Sequence, residues 1–172
     1  LLNSDEYKSK RDKYELPIAI GVTVTQQVKV VDLTQAPHLL VAGATQQGKS
    51  VCLNVIITSL LYGKHPSELK FVFIDPKMVE FSAYSSLIKH YLAVLPDADD
   101  EDSERNRAIV KNAKDAEKVL RSLCKEMDDR YELLSKAGIN KITLYNEKFR
   151  DRKLNPEKGH RYLPYLVVVV DE

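Results

Sequence analysis

Eight residues, from Gly43 to Ser50, have the types and the spacing of a loop that binds phosphate. They read Gly-Ala-Thr-Gln-Gln-Gly-Lys-Ser and fit the pattern G-x-x-x-x-G-K-[ST]. Glycines at 43 and 48 allow backbone conformations and a close approach that a Cβ would block. The N–H groups of the loop and of the helix after it then point at the β-phosphate of a nucleotide.

Two side chains of this loop carry the predicted chemistry, with ATP as the nucleotide. Lys49 is predicted to bridge the β- and γ-phosphates, and the Ser50 hydroxyl is predicted to ligate Mg²⁺. The full set of residues predicted to bind the nucleotide is Gly43, Ala44, Thr45, Gln46, Gln47, Gly48, Lys49, Ser50 and Val51.

The segments on either side of the loop are the elements that this motif requires. Residues 38–42 form a short apolar run after Pro37 and predict a buried strand. Residues 49–62 are apolar around most of a helical circumference, which predicts a buried helix ending at Gly63.

A second group of chemical interest is Asp171 and Glu172, which follow the apolar run of residues 166–170. The run predicts a central parallel strand, and with the loop it forms a Walker B motif. Asp171 is predicted to hold Mg²⁺, and Glu172 is predicted to orient and deprotonate the attacking water. A glutamate directly after the aspartate favours an ATPase over a small-molecule kinase.

Asp75 is a third candidate, at the end of another apolar run over residues 70–75. Sites in α/β folds gather at such strand ends. The simpler interpretation is a turn that ends the strand, since Pro76 follows directly.

The remaining patterns complete an α/β fold with a parallel sheet. Residues 18–35 predict a β-hairpin with a turn at 25–27. Residues 115–137 predict an amphipathic helix closed by Gly138, and 143–150 a shorter one. The acidic stretch 97–104 is typical of a solvated loop entering a helix, because its spacing lacks the features of an EF-hand calcium site.

Composition narrows the class of protein. The 172 residues carry a net charge of +1, which disfavours a protein that coats nucleic acid by bulk charge. Two cysteines indicate a reducing compartment and no disulfide framework. The sequence has no apolar run of the roughly 18 residues needed to span a membrane.

Taken in order, the motifs resemble the motor domain of the FtsK/SpoIIIE DNA translocases. The segments that carry the resemblance are residues 37–62, 71–77, 126–131, 145–148 and 167–172. The resemblance implies a RecA-like ATPase that forms a homo-hexameric ring around double-stranded DNA and pumps it during chromosome partition at bacterial cell division. It also implies a cytoplasmic motor, tied to the membrane only through a segment absent here.

By the resemblance, Asp75 belongs to a family signature and is a candidate for contact with Mg²⁺-bound water or with the next subunit. For Arg130 two roles stay open, an ion pair on the helix surface and an interface facing the nucleotide of the neighbouring subunit.

The sequence departs from the usual pattern of this family in three respects. Gln46 and Gln47 stand where the family usually has Gly-Ser or Gly-Gln, residues 97–114 are longer and more acidic, and the chain stops at Walker B. We therefore expect a portion of a longer protein, with a charged leader at 1–17, a hairpin at 18–35 and the truncated ATPase core at 36–172. Two alternatives stay open: a related ring ATPase of a secretion or conjugation system, and a nucleotide-binding module with little turnover.

Overall fold

The computed structural model describes residues 1–43, 47–95 and 107–171 of the chain. These residues belong to two compact units, Leu1–His65 and Pro66–Glu172, called here the first and second unit. The domain boundaries expected from the sequence stay a prediction. The first unit contains α1 (Asp5–Arg11), β1 (Pro17–Val22), β2 (Val28–Asp32) and α2 (Lys49–Gly63).

The predicted hairpin is confirmed by the pairing of β1 with β2, which are antiparallel. Its turn includes Gln26, whose φ of 63° lies in the left-handed region. The register shifts between Ala19 and Gly21, as in a β-bulge. The β-branched residues of both strands suit this pleated pair.

Ser59, in the middle of α2, joins three elements of the first unit. Its buried hydroxyl accepts a hydrogen bond from the Ala19 N–H (3.1 Å) and donates one to the Val55 carbonyl (2.6 Å). Its carbonyl oxygen accepts a hydrogen bond from the Tyr7 hydroxyl of α1. For residues 1–15 the sequence pattern leaves open a solvated leader or a short helix; the short helix is confirmed by α1, and its Tyr7 is fully buried.

The strand expected at residues 38–42 is not formed, and the structure gives residues 38–43 no helix or strand. A strand is defined by a neighbour that satisfies its backbone groups. The apolar run meets no such neighbour among the described residues, and Leu40 is 90% exposed. The sequence pattern alone therefore overestimates the order of this segment.

The second unit is built around a parallel sheet, as predicted. Its strand order is β4-β3-β5, and both pairings are parallel. Its elements are β3 (Leu69–Ile74), β4 (Ile109–Val110), α3 (Ala113–Ala137), α4 (Ile142–Arg150) and β5 (Tyr165–Val170). The expectation that the last strand is central is wrong for the described chain, because β3 takes the middle position.

Alternation along β3 gives the sheet two different faces. Val72 and Ile74 pack against Val119 of α3 on one face. On the other face, the Phe73 ring lies 5.0 Å from Phe81 and 5.3 Å from Tyr84, measured between centroids. This aromatic cover comes from the chain directly after β3, which forms a short 3-10 helix over Ser82–Leu87.

The long helix α3 ends at the predicted glycine and begins two residues before the predicted start. Asn112 caps it by accepting a hydrogen bond from the Asp115 N–H (2.8 Å). Gly138 ends it with a φ of 65°, a conformation that glycine adopts without strain. The sequence also predicts a strand near residues 90–95, which the described structure reduces to a single parallel bridge between Phe71 and Leu92. The acidic stretch 97–104 lies outside the described residues.

Candidate functional site

The described part of the phosphate loop ends in a glycine that fits the motif. Gly48 is the N-cap residue of α2 and has a φ of 88° and a ψ of 16°. An added Cβ would meet nothing within 4 Å, so this site demands glycine through its backbone dihedral alone. Lys49 and Ser50 follow as the first residues of the helix, at the end where the helix dipole favours an anion.

Gly43, the first glycine of the motif, behaves differently. A Cβ there would lie 3.9 Å from Cβ of Gln47, which is an ordinary contact. Within the described residues the chain itself thus leaves room for a Cβ at Gly43, and the expected close approach of a phosphate at this glycine stays a prediction. Three other predicted loop residues, Ala44, Thr45 and Gln46, lie outside the described residues.

In the second unit, two predicted acidic residues lie at the same end of the sheet, where neighbouring parallel strands have their carboxyl ends. Ile74 and Val170 are register partners at the ends of β3 and β5. The Asp171 N–H continues this ladder by donating to the Ile74 carbonyl (3.0 Å). Asp75 is fully buried and Asp171 is 5% exposed. The carboxyl ends of neighbouring parallel strands thus each carry a buried aspartate, while Glu172 lies outside the described residues.

Asp75 organises the turn that follows β3. Its Oδ2 accepts hydrogen bonds from the N–H groups of Glu80 (3.0 Å) and Phe81 (3.1 Å). Met78, inside this turn, has a φ of 56°. The other carboxylate oxygen, Oδ1, is buried and has no partner within the described structure. The structure thus confirms a strand-ending turn at Asp75 and adds an unsatisfied acceptor.

The carboxylate oxygens at this end of the sheet suit a magnesium ion. Mg²⁺ prefers oxygen ligands, commonly takes one or two carboxylates and keeps several of its waters. Asp171 and the unpaired Oδ1 of Asp75 are such oxygens. No group of three or more His, Cys, Asp or Glu side chains that could hold a metal occurs among the described residues.

Arg130, in a motif that carries the family resemblance, makes contacts within its own unit. Its Nε donates to Glu126 (2.8 Å) and its Nη1 donates to the Pro164 carbonyl (2.7 Å), just before β5. Arg161 donates to both carboxylate oxygens of Glu126 at 2.9 Å. Of the two roles open to Arg130, an ion pair within the chain and an interface with a neighbouring subunit, these contacts support the first.

These contacts make the stability of the protein depend on pH through Glu126. Partial burial would raise the pKa of Glu126, but hydrogen bonds and charge from Arg130 and Arg161 outweigh it and hold this pKa below its ordinary value. A carboxyl with a lowered pKa in the folded state stabilises the fold above its unfolded pKa of about 4.3. That contribution disappears as the pH falls through the folded pKa.

Glu126→Gln is expected to lower the free energy of unfolding by about 1 kcal/mol at pH 7. The difference from the wild type should shrink as the pH falls below about 4.3, which urea unfolding at a series of pH values would measure. Glu117→Gln is the matched control, because the Glu117–Arg121 pair of the same helix is well exposed. A difference that stays constant down to pH 3 would contradict the assignment.

A second motif of the resemblance, residues 145–148, also has a structural role. The side-chain amide of Asn146 donates to the Leu163 carbonyl and accepts from the Leu163 N–H, both at 2.9 Å. The hydroxyl of Tyr145 lies 3.0 Å from Nδ1 of His160, and both side chains are buried. The motif thus fixes the chain that leads into β5. Nothing in the local sequence predicts these contacts.

Comparison with known proteins supports the predicted resemblance. DNA translocase FtsK of Chlorobaculum tepidum is 44% identical over 165 residues, which are 96% of this chain and 19% of that protein. DNA translocase SpoIIIE of Bacillus subtilis is 40% identical over 164 residues, again 19% of its length. The chain thus spans about a fifth of the length of the curated relatives it matches. No described helix is long and apolar enough to cross a membrane.

Solved structures confirm a fold shared with P-loop ATPases. The conjugation coupling protein TcpA of pCW3, in a monomer form with ATPγS, matches with a TM-score of 0.66 and 26% identity over 98% of this chain and 38% of that one. The cytoplasmic domain of the type VII secretion ATPase EccC of Thermomonospora curvata matches in fold, with a TM-score of 0.62, 24% identity and coverage of 92% of this chain and 17% of that one. The family match itself extends over residues 3–172. This chain belongs to the FtsK/SpoIIIE family.

Proposed function

We propose that the chain is the ATP-binding and ATP-hydrolysing portion of a motor that moves along double-stranded DNA. The observation that carries the proposal is the similarity of almost the whole chain to proteins named DNA translocases, at up to 44% identity. The left-handed Gly48 at the start of α2 supports the nucleotide site. A homo-hexameric ring acting in the cytoplasm during chromosome partition, with the membrane reached through a segment outside this chain, completes the proposal.

The roles of individual residues in the first unit follow from the phosphate loop. The N–H groups at the start of α2 bind phosphate oxygens, and the Lys49 ammonium stabilises charge on the β- and γ-phosphates. Ser50 supplies a hydroxyl ligand for Mg²⁺. The remaining loop residues from Gly43 to Val51 wrap the phosphates, and the two glutamines leave this wrapping intact because the motif leaves their positions open.

The roles in the second unit belong to the acidic strand end. Asp171 holds Mg²⁺, directly or through water, and Glu172 orients the attacking water and accepts its proton. When bound, Mg²⁺ neutralises negative charge that develops on the phosphate oxygens. Because β5 is held in register with β3 over its whole length, the backbone of Asp171 is fixed before any ligand binds.

The deciding experiment measures ATP hydrolysis by the protein in its full natural length, with and without long linear duplex DNA. We expect duplex DNA to raise the rate at least several-fold, because a motor that holds its track completes its hydrolysis cycle faster. Single-stranded DNA of equal length is the control. A rate that duplex DNA leaves unchanged would contradict the proposal.

The second candidate is an ATPase of a conjugation or secretion system, favoured by the match to the conjugation coupling protein TcpA. Hydrolysis that plain duplex DNA does not stimulate would support this candidate. Nucleotide binding with negligible hydrolysis would instead support a binding module.

A further inference from the structure

The unpaired carboxylate oxygen of Asp75 needs a partner that the chain itself does not supply. Asp75 is fully buried, and its Oδ1 has no hydrogen-bond partner within the described structure. Buried polar atoms are nearly always hydrogen-bonded, since an unsatisfied one loses its hydration without compensation. The Oδ2 atom accepts hydrogen bonds from two backbone N–H groups, so Oδ1 is the oxygen of this carboxyl that is left unpaired. The missing partner is therefore a donor or a cation.

The neighbourhood of Asp75 indicates which partner it is. The Asp75 N–H donates to the Val110 carbonyl (2.8 Å), so the backbone continues the sheet for one residue beyond β3. Because Ile74 pairs with Val170, Asp75 and Asp171 occupy equivalent positions on neighbouring strands and share one face of the sheet. Two buried carboxylates at adjacent positions repel each other unless positive charge lies between them.

Resting on the proposed ATPase function, we infer that Asp75 is a second acidic residue of the magnesium site. Its Oδ1 accepts a hydrogen bond from a water molecule of the hydrated ion that Asp171 holds. Mg²⁺ retains several waters in proteins, and carboxylates that receive such waters orient the ion and tune its affinity. Asp75 is thus a positioning residue that acts on the ion through water.

The same carboxylate joins this site to the turn after β3. Oδ2 holds the N–H groups of Glu80 and Phe81, and the Phe81 ring packs on Phe73. The position of Oδ1 is therefore fixed by a turn that is itself packed against the sheet.

Asp75→Asn separates the two functions of the carboxylate. The amide oxygen can still accept from Glu80 and Phe81, while an NH₂ group replaces Oδ1 and turns an acceptor into a donor. Asp32→Asn is the matched control. Asp32 also accepts several backbone N–H groups, from Glu15, Leu16 and Thr34, but both of its oxygens are paired within the chain.

The first measurement is the affinity for Mn²⁺ in the presence of saturating ATPγS, determined by electron paramagnetic resonance. Binding of a fluorescent ATP analogue in EDTA is measured in parallel. We expect Asp75→Asn to weaken Mn²⁺ binding about tenfold and to leave the binding in EDTA unchanged, while Asp32→Asn changes neither. Unchanged Mn²⁺ affinity in Asp75→Asn overturns the inference alone. Absence of nucleotide binding by the wild type both in EDTA and with excess Mg²⁺ overturns the proposed function and the inference with it.

A second measurement uses only the wild-type protein, so it does not depend on the folding of a variant. Fe²⁺ replaces Mg²⁺, ascorbate and hydrogen peroxide are added, and mass spectrometry locates the backbone cleavage near the bound ion. We expect cleavage both beside Asp171 and within residues 75–81. Cleavage beside Asp171 with none in residues 75–81 would overturn the inference.

Discussion

Lys49→Ala is expected to reduce the rate of ATP hydrolysis by about 100-fold or more. Lys49 is the first residue of α2 and directly follows the left-handed Gly48. Under the proposed function its ammonium stabilises charge that grows on the transferred phosphoryl group, and losing one such group costs about 100- to 1,000-fold in kcat. Steady-state phosphate release at saturating ATP, with and without duplex DNA, measures the effect.

The control for this substitution is Lys29→Ala, which removes an exposed lysine from the hairpin. It should leave the rate within about twofold, because surface substitutions away from a site usually have small effects. A Lys49→Ala protein that hydrolyses ATP at the wild-type rate would contradict the assignment of the phosphate loop. Loss of activity in both variants would point to a general effect of charge.

Phe73→Ala is expected to destabilise the protein by about 3–5 kcal/mol. The Phe73 side chain is 1% exposed, and its ring lies between 5.0 and 5.4 Å from those of Phe71, Phe81 and Tyr84. Removing the ring loses its burial and leaves a cavity that the sheet cannot close. Urea unfolding of the purified protein measures the change.

Tyr131→Ala removes an aromatic ring of similar size from α3, where the residue is 62% exposed. It should change the free energy of unfolding by no more than about 0.5 kcal/mol. If the two variants were equally stable, the aromatic cluster would not be the main packing of this face of the sheet.

Much of the fold is predictable because its signals are local. The sequence alone predicts the end of α3 to the residue, because the signals for it are local. They are the apolar spacing along the helix and the left-handed Gly138, and the Asn112 cap at the start is equally local. The hairpin is equally local, because its strands are joined by a short turn at Gln26. Such elements need no knowledge of the rest of the chain.

The predictions that were wrong or incomplete concern structural properties that depend on residues distant in the sequence. Whether residues 38–42 form a strand depends on a neighbouring strand, and an apolar run does not identify that neighbour. The position of β5 at the edge of the described sheet is likewise a property of strand order. A strand ending in Asp-Pro predicts the turn at Asp75, but the unpaired Oδ1 becomes visible only when every contact of the carboxylate is known.

The hydrogen bond from Tyr7 to Ser59 gives the first fifteen residues a structural role. The sequence alone marks this charged stretch as the first part to remove when the protein is shortened. In the structure its Tyr7 fills the interior of the first unit beside Ala19 and Val30 and satisfies a carbonyl of α2. A shortened protein that begins at Leu16 would therefore have a cavity beside α2, the helix that starts at the phosphate loop. The N-terminal segment is thus part of the scaffold that supports that loop.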